Sequence, residues 1–250
     1  MKALSQLFAT TLLALSVTPF AQAENLHSVV LVHGAFADGS SWNRVIEQLQ
    51  ARHDEVIAVQ LPLTSLQDDV AATQRAIAQA HGDVVLVGHS WGGTVITEAG
   101  NNDKVKALVY VAAFAPDKGE STAELADSYP ASPGSAGISK TEQGFLTLPA
   151  NVVAQDFAPD LKPTQQRLLA VTQGPIRAAA FGDKVTQAAW GAKPSWYLVS
   201  SQDRMINPDL ERAMAKKIHA QVSVVAASHV SMLSQPDSVV RVITAAVNAH

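Results

Sequence analysis

Short apolar runs alternate with amphipathic helical patterns along most of the chain. The runs are rich in Val, Ile and Leu and lack strict alternation with polar residues, which is typical of strands buried on both faces. This order predicts an α/β fold with a mostly parallel, doubly wound sheet covered by helices on both sides. The six predicted strands are Ser28 to His33, Glu55 to Gln60, Asp83 to Val87, Val105 to Val111, Ser195 to Ser200 and Gln221 to Val225.

Amphipathic helices are predicted between these strands. Ser65 followed by Asp68 has the spacing of a helix N-cap with its acidic partner. Asn207 followed by Pro208 predicts a second helix start, because proline is favoured at the first helical position. A last helix is predicted after Pro236, where valine and isoleucine recur at helical spacing.

Residues 115–194 interrupt the alternation, because they contain no strong strand signal. A structureless loop of this length is unusual in a compact domain. We therefore expect a helical cap, inserted before the last two strands of a single domain over residues 24–250. Helical patches lie near residues 121–128, 163–171 and 175–181, and Pro, Gly and Ser cluster at residues 129–137.

The N-terminus has the features of a secretory signal peptide over residues 1–23. A basic second residue precedes an apolar stretch that includes Leu12 to Val17, and Ala21-Gln22-Ala23 has the form of a cleavage site. A buried helix or a membrane anchor is the alternative, but a span needs about 20 apolar residues and Thr18-Pro19 interrupts this run. We expect a periplasmic or secreted bacterial protein that begins at Glu24 and has no stable membrane insertion.

Composition narrows the possible partners. The formal net charge is −4 and no block of like charge occurs, so nucleic acid and anionic membrane surfaces are disfavoured as partners. The chain has no cysteine, which excludes disulfides, cysteine catalysis and thiolate metal sites. The composition carries no signal for a particular oligomeric state.

The segment Gly88-His89-Ser90-Trp91-Gly92 has the form G-x-S-x-G and lies between a predicted strand and a predicted helix. In this context the motif forms a sharp turn that exposes the serine hydroxyl at the end of the strand. A serine is a poor nucleophile unless a neighbouring base accepts its proton. Ser90 is therefore a candidate nucleophile, and the chain must supply a base and a carboxylate.

Asp203 and His229 meet that requirement, because each follows a predicted strand after Ser90 in the chain. The carboxyl ends of parallel strands share one edge of a sheet, so the three loops are expected to converge there. Asp117, which also follows a strand, is the alternative acid. His89 lies in the turn itself and is expected to pack against its neighbours rather than act as the base.

The loop after the first predicted strand, His33-Gly34-Ala35-Phe36, is a candidate oxyanion hole. A backbone N–H in this loop and the N–H that follows the nucleophile can both point at a developing oxyanion. The predicted donors are the backbone amides of Ala35 and Trp91.

These motifs resemble the alpha/beta-hydrolase superfamily over essentially all of Leu26 to His250. The segments Leu31 to Phe36, Val111 to Pro116 and Ser228 to Val230, with the serine motif, are similar to a branch that includes small esterases, plant methyl esterases and plant hydroxynitrile lyases. The lyases carry threonine at the position of Gly34 and lysine at that of Val230, so the resemblance favours ester hydrolysis.

The expected function is therefore hydrolysis of small or medium apolar carboxylic esters through an acyl-enzyme, with no metal or organic cofactor required. An aromatic set drawn from both the sheet loops and the cap is expected to bind the substrate: Phe36, Phe114, Phe181 and Trp190. The alternatives are lactone opening, C–C bond hydrolysis or perhydrolysis by the same triad. A weakly catalytic ligand-binding protein on the same fold is a further alternative.

Overall fold

The computed structural model describes residues 27–249. The predicted signal peptide over residues 1–23 lies outside the described residues. Within residues 27–249, no helix combines the length and apolar character needed to cross a membrane.

The first half of the chain alternates strands and helices as the sequence predicts. A 3-10 turn at Gly39–Trp42 precedes the first helix. The elements are β1 (His27–Val32), α1 (Asn43–Gln50), β2 (Glu55–Ala58), α2 (Leu66–Gln79), β3 (Asp83–Ser90), α3 (Trp91–Ala99) and β4 (Val105–Ala113).

Residues 114–194 form a cap that is inserted after β4. It contains α4 (Thr122–Asp127), α5 (Pro133–Ala136), β5 (Ser139–Lys140), β6 (Phe145–Thr147), α6 (Ala150–Val152), α7 (Pro163–Thr172) and β7 (Ile176–Arg177). A π-helical turn at Val153–Phe157 follows α6, and 3-10 turns occupy Ala178–Gly182 and Ala189–Gly191. The chain then continues with β8 (Ser195–Ser200), α8 (Pro208–Lys217), β9 (Gln221–Val225), α9 (Ser231–Ser234) and α10 (Pro236–Val247).

The cap contains the expected helices but does not consist of helices alone. Strands β5, β6 and β7 form a small antiparallel sheet within the cap. The segment 175–181, expected to be helical, instead forms β7 and part of a 3-10 turn. Strands of two or three residues are too short to show a two-residue hydrophobic period, which explains why the sequence did not reveal them.

The central sheet has the strand order β2-β1-β3-β4-β8-β9, and every neighbouring pair is parallel. All six predicted strands are present. β3 and β4 extend further than predicted, to Ser90 and Ala113, whereas β1 and β2 end earlier, at Val32 and Ala58. The strand order reverses between β1 and β3, so the loops after these two strands diverge. Such a switch point opens a crevice at the carboxyl edge of the sheet.

Helices cover both faces of this sheet. α1 packs with α10 on one face, while α2 packs with α3 on the other. β1, β3, β4 and β8 are almost completely buried, and their Val, Leu and Tyr side chains form the core. The edge strand β9 differs, since Val222 and Val224 are exposed.

Candidate active site

Ser90 occupies a strained turn between β3 and α3. Its backbone has φ 53° and ψ −121°, a conformation that costs a non-glycine residue on the order of 1–3 kcal/mol. The turn brings α3 so close to the loop after β1 that a Cβ on Gly92 would lie 2.5 Å from the carbonyl oxygen of Val32. Glycine at that position therefore permits the tight turn that places Ser90 at the mouth of the crevice.

Asp203 and His229 form a hydrogen-bonded pair at the ends of β8 and β9. The Nδ1 atom of His229 lies 2.5 Å from Oδ2 of Asp203, and both side chains are almost fully buried. Oδ1 of Asp203 accepts backbone N–H bonds from Met205 and Ile206, at 2.6 and 3.0 Å. Because Nδ1 of the imidazole donates to the carboxylate, Nε2 is the nitrogen that remains to act as a base.

The rival acid, Asp117, lies apart from this pair. It is exposed, its Oδ1 accepts the backbone N–H of Lys118 at 2.7 Å, and its own N–H donates to Glu120 at 2.8 Å. The structure therefore brings Asp203, and not Asp117, into contact with His229.

His89 contacts the loop that carries His229. Its ring is fully buried, its Nε2 lies 2.9 Å from the carbonyl oxygen of His229, and the two ring centroids are 4.7 Å apart. Burial, and then the nearby charge of His229, lowers the pKa of His89 well below its usual value. The neutral ring can donate from Nε2 to the His229 carbonyl, so His89 orients the loop.

The candidate oxyanion loop passes directly over Ser90. A Cβ on Gly34 would lie 2.7 Å from the Cβ of Ser90, so only glycine allows this approach. His33 fixes the loop, because its Nε2 accepts the N–H of Leu61 at 3.0 Å and its Nδ1 donates to the Gly34 carbonyl at 2.8 Å. Within residues 27–249, the next backbone N–H, that of Ala35, has no protein acceptor.

The second predicted donor, the Trp91 amide, begins α3. The Trp91 side chain points into the core, where its indole N–H donates to Oδ2 of Asp69 at 2.7 Å. Asp69 also accepts the N–H of Leu63 at 2.8 Å, and burial raises the pKa of its carboxyl to about 6. The cap contributes a T-shaped contact between Phe181 and the Trp91 ring, with centroids 5.4 Å apart.

A second buried carboxyl lies behind Asp203. Glu211, on α8, is completely buried, and its Oε2 accepts the backbone N–H of Ser200 at 3.1 Å. Its Oε1 has no hydrogen-bond partner within the described residues. Burial and then the negative charge of Asp203 raise the pKa of Glu211 well above its usual range.

Ser90, His229 and Ala35 share one cavity of about 160 Å³ beneath the cap. Two of its polar groups are already paired elsewhere: Thr122 with Thr94 at 2.6 Å, and Ser135 with the carbonyl of Ser132 at 2.8 Å. Among residues 27–249, no lysine, arginine, aspartate or glutamate side chain lines it. The lining comprises Ala35, Phe36, Ser90, Phe114, Thr122, Ala123, Ala126, Ser135, Ile138, Phe181, Met205, Ile206 and His229.

Three of the four aromatic residues predicted to bind the substrate line this cavity, whereas Trp190 does not. Phe36, Phe114 and Phe181 face the cavity. Trp190 lies outside it, because its indole N–H donates to the Pro116 carbonyl at 2.9 Å and its ring packs beneath Lys217. These two contacts hold the indole against the base of the cap.

Other lining residues were missed by the sequence analysis. Met205 and Ile206 lie two and three positions after Asp203, so their place in the chain was a usable signal. The lining residues from α4 and α5 carried no such sequence signal, because the sequence does not reveal which face of a cap helix meets the sheet.

A second, larger cavity of about 340 Å³ adjoins the first and shares Phe114, Ala126, Ser135, Met205 and Ile206 with it.

Residues 29–242 match the alpha/beta hydrolase family. The chain belongs to that family. This confirms the resemblance inferred from the motifs and agrees with the parallel sheet and its crevice. Membership supports hydrolase activity in general. In the part of this hydrolase that the structure describes, no group of three or more His, Asp or Glu side chains is arranged to hold a metal ion.

Named relatives of this alpha/beta hydrolase come from fungi, plants and bacteria. The chain is 28% identical to alpha/beta hydrolase nvfD of Aspergillus novofumigatus over 239 residues, which cover 86% of this chain and 94% of that protein. It is 24% identical to methylesterase 2 of Arabidopsis thaliana over 245 residues, covering 83% and 90%. A pyrethroid hydrolase from Sphingobium faniae shares the fold, with a TM-score of 0.75, 21% identity and coverage of 89% and 98%.

Proposed function

We propose that this protein is a serine esterase that hydrolyses small or medium uncharged carboxylic esters through an acyl-enzyme. The observation that carries the proposal is the Asp203–His229 hydrogen bond of 2.5 Å behind a cavity that Ser90 also lines. A nucleophile at a strained turn, a base and a buried carboxylate that orients the base are the parts of a serine hydrolase triad. The 24% identity to a plant methylesterase supports ester substrates.

In the proposed reaction His229 Nε2 accepts the hydroxyl proton of Ser90 as the serine oxygen attacks the ester carbonyl. Asp203 stabilises the imidazolium that results, because its Oδ2 accepts a hydrogen bond from Nδ1–H, with 2.5 Å between the nitrogen and the oxygen. The backbone amides of Ala35 and Trp91 donate to the oxyanion of the tetrahedral intermediate. Each such donor contributes about 3–4 kcal/mol to lowering the barrier in comparable enzymes.

The second half of the cycle releases both products. His229 gives its proton to the leaving alkoxide, so the alcohol departs and the acyl group stays on Ser90. A water molecule then loses a proton to His229 and attacks the acyl carbonyl, and the carboxylic acid leaves as Ser90 regains its proton.

The shape and polarity of the cavity support a small, uncharged acyl group. A cavity near 150 Å³ holds a molecule of about the size of benzene, and this one has about 160 Å³. In the described part of the chain, no lysine, arginine, aspartate or glutamate lines it to offset the desolvation of a charged substrate. The adjoining cavity of about 340 Å³, which Tyr129 and Asn207 also line, offers room for a larger second portion of the ester.

The test is hydrolysis of p-nitrophenyl esters from acetate to palmitate by the protein from residue 24 onward. The variants are Ser90→Ala and, as a matched control, Ser135→Ala, which removes another serine hydroxyl from the same cavity. We expect highest turnover for short acyl chains, a loss of at least about 10³-fold in Ser90→Ala, and a change below about threefold in Ser135→Ala. Labelling of Ser90 by an organophosphonate, read by mass spectrometry, gives an independent measure.

Either of two results would contradict the proposal. One is an absence of turnover on every ester, and the other is equal turnover by wild type and Ser90→Ala. Lactones and C–C substrates would then be assayed with the same variants.

We also infer that residues 1–23 direct export and are removed, which places the protein in the periplasm or outside the cell. The support is the sequence pattern that ends in Ala21-Gln22-Ala23. N-terminal sequencing of protein recovered from the periplasm of an expressing bacterium should read from Glu24, whereas a product that starts at Met1 in the cytoplasm would overturn the inference.

A further inference from the structure

One short segment of the cap contacts both loops that carry the Asp203–His229 pair. This segment comprises residues 153–160, the π-helical turn at Val153–Phe157 and the three residues that follow it. We call it the cap clamp. A π-helical turn is rare in proteins and is found frequently at functional sites.

The first contact of the cap clamp reaches the residue before His229. Both oxygens of the Asp160 carboxylate accept hydrogen bonds from Ser228, at 2.9 Å from its backbone N–H and 2.5 Å from its hydroxyl. Ser228 is buried, whereas Asp160 lies at the protein surface. Two bonds to one residue fix both its backbone position and its side chain, so they restrict the peptide that leads into His229.

The second contact reaches the residue after Asp203. Oδ1 of Asp156 accepts from Nε of Arg204 at 2.7 Å, and Asp156 is nearly buried. Nearby, the backbone N–H of Gly134 in α5 donates to the Arg204 carbonyl at 2.8 Å. The cap therefore holds the Asp203 loop through a side chain and through the main chain.

The third contact is with the imidazole itself. The buried ring of Phe157 packs against the ring of His229, with centroids 5.5 Å apart. The ring of His89 also contacts the same imidazole, with centroids 4.7 Å apart. The imidazole thus contacts both an aromatic from the cap clamp and a histidine from the turn that carries Ser90, and these contacts limit rotation of the ring.

We propose that the cap clamp holds His229 in hydrogen-bonding register with Asp203, with Asp160 as the principal positioning residue. The proposal rests on the proposed function, since it concerns the base of that reaction. A displacement of about 1 Å in a reacting group can lower the rate by about 10². Asp160 touches no reacting atom, so its effect on rate acts through Ser228.

The experiment compares Asp160→Ala, Ser228→Ala and the double variant, with Glu142→Gln as control. Glu142 is another exposed cap carboxylate, and it makes no hydrogen bond or ion pair in the described part of the chain. Steady-state kinetics on a short p-nitrophenyl ester, thermal unfolding, and the strongly deshielded Nδ1–H proton of His229 in the ¹H NMR spectrum are measured for each protein.

We expect Asp160→Ala to lower kcat by about 10- to 100-fold with KM changed by less than about threefold, and to broaden or abolish the His229 proton signal. Ser228→Ala should move both readouts in the same direction. The double variant should be no worse than Asp160→Ala, because both changes remove parts of one contact. Glu142→Gln should match wild type in every readout.

The proposal is overturned if Asp160→Ala unfolds at a lower temperature but keeps kcat and the proton signal, because the contact would then only stabilise the cap. If Asp160→Ala does not fold, the result for Ser228→Ala tests the clamp by itself, since that variant removes a single hydrogen bond.

The results distinguish failure of the clamp proposal from failure of the esterase proposal. An inactive wild type whose proton signal still depends on Asp160 refutes the esterase, whereas an active wild type whose signal does not depend on it refutes the clamp.

Discussion

The indole N–H of Trp91 donates a 2.7 Å hydrogen bond to the buried carboxylate of Asp69, so α2 fixes the first residue of α3. The same carboxylate accepts the backbone N–H of Leu63. Through this contact an acid outside the cavity anchors the side chain of the residue that follows Ser90. The pKa of Asp69, raised to about 6 by burial, makes the contact sensitive to pH.

We expect the stability of the wild type to fall, relative to Asp69→Asn, as the pH rises from about 4 to about 6. The unfolded chain ionises Asp69 near its usual pKa of about 3.9, whereas the fold keeps it protonated up to about 6. Ionisation of the folded protein is thus disfavoured by about two pKa units, or about 3 kcal/mol on the scale of 1.36 kcal/mol per unit.

The measurement is urea unfolding of both proteins at several pH values from 4 to 8. Asp69→Asn offers one acceptor oxygen to two N–H donors, so its unfolding free energy should also be lower than that of wild type by about 1–3 kcal/mol at every pH. The informative quantity is therefore how the difference in unfolding free energy between wild type and Asp69→Asn changes with pH. Parallel profiles for the two proteins would show that Asp69 does not titrate in this range.

The raised pKa of Glu211 gives a second pH-dependent expectation. Because its pKa is raised in the fold, the unfolded chain releases this proton first, and wild-type stability falls as the pH rises above about 4.5. Glu211→Gln has no proton to release and can still accept the N–H of Ser200 through its amide oxygen. We expect the melting temperature of Glu211→Gln to be at least about 2 °C above that of wild type at pH 7, and equal to it below pH 4.

Calorimetry at pH 4 and pH 7 measures this difference, with Glu47→Gln on the exposed face of α1 as control. The control should change the melting temperature by less than about 1 °C at both pH values. A destabilised Glu211→Gln at pH 7 would mean that the carboxyl is ionised in the fold.

Gly34→Ala tests the loop that passes over Ser90. The added methyl group would lie 2.7 Å from the Cβ of Ser90, so the loop must move and the Ala35 amide moves with it. We expect kcat for a short ester to fall by at least about 10²-fold, in the range found when an oxyanion donor is lost. Gly191→Ala is the matched control, because a Cβ there meets no atom within 4 Å. Equal activity of the two variants would remove Ala35 from the proposed oxyanion hole.

Phe181→Ala and Trp190→Ala compare two cap aromatics that the sequence assigned to the same role. Phe181 lines the cavity and contacts Trp91, whereas Trp190 packs between Pro116 and Lys217. Removing the Phe181 ring enlarges the cavity, so we expect the preferred acyl chain of p-nitrophenyl esters to lengthen by at least about two carbons. Trp190→Ala should leave the preference unchanged, and a shift in both variants would mean that the cap responds as a whole.

The sequence predicted the sheet and its three catalytic candidates because their signals are local. Runs rich in apolar residues mark β3, β8 and β9. Ser90 ends β3, and Asp203 and His229 follow β8 and β9. Parallel topology then brings the ends of these strands to one edge without further information. The contact between Asp203 and His229 is the consequence of that rule.

The features that escaped prediction depend on contacts between distant segments. Asp160 and Ser228 are 68 positions apart, and neither belongs to a motif. In the sequence, Glu211 has the position of an ordinary polar residue of an amphipathic helix, yet in the structure it is fully buried beside Asp203. Trp190 was assigned to the cavity from its residue type, but the direction of its side chain is set by Pro116, on a separate segment.

The insertion of the cap between β4 and β8 has a consequence for the order of folding. These strands are neighbours in the sheet, yet roughly 80 residues separate them in the chain. Closing a loop of that length costs about 2 kcal/mol more chain entropy than closing one of ten residues. We expect β3, which ends at Ser90, to pair earlier with β1 and β4, whereas the strands that precede Asp203 and His229 join only after the long loop has closed. The three candidate catalytic residues would then come together only when the last part of the sheet has formed.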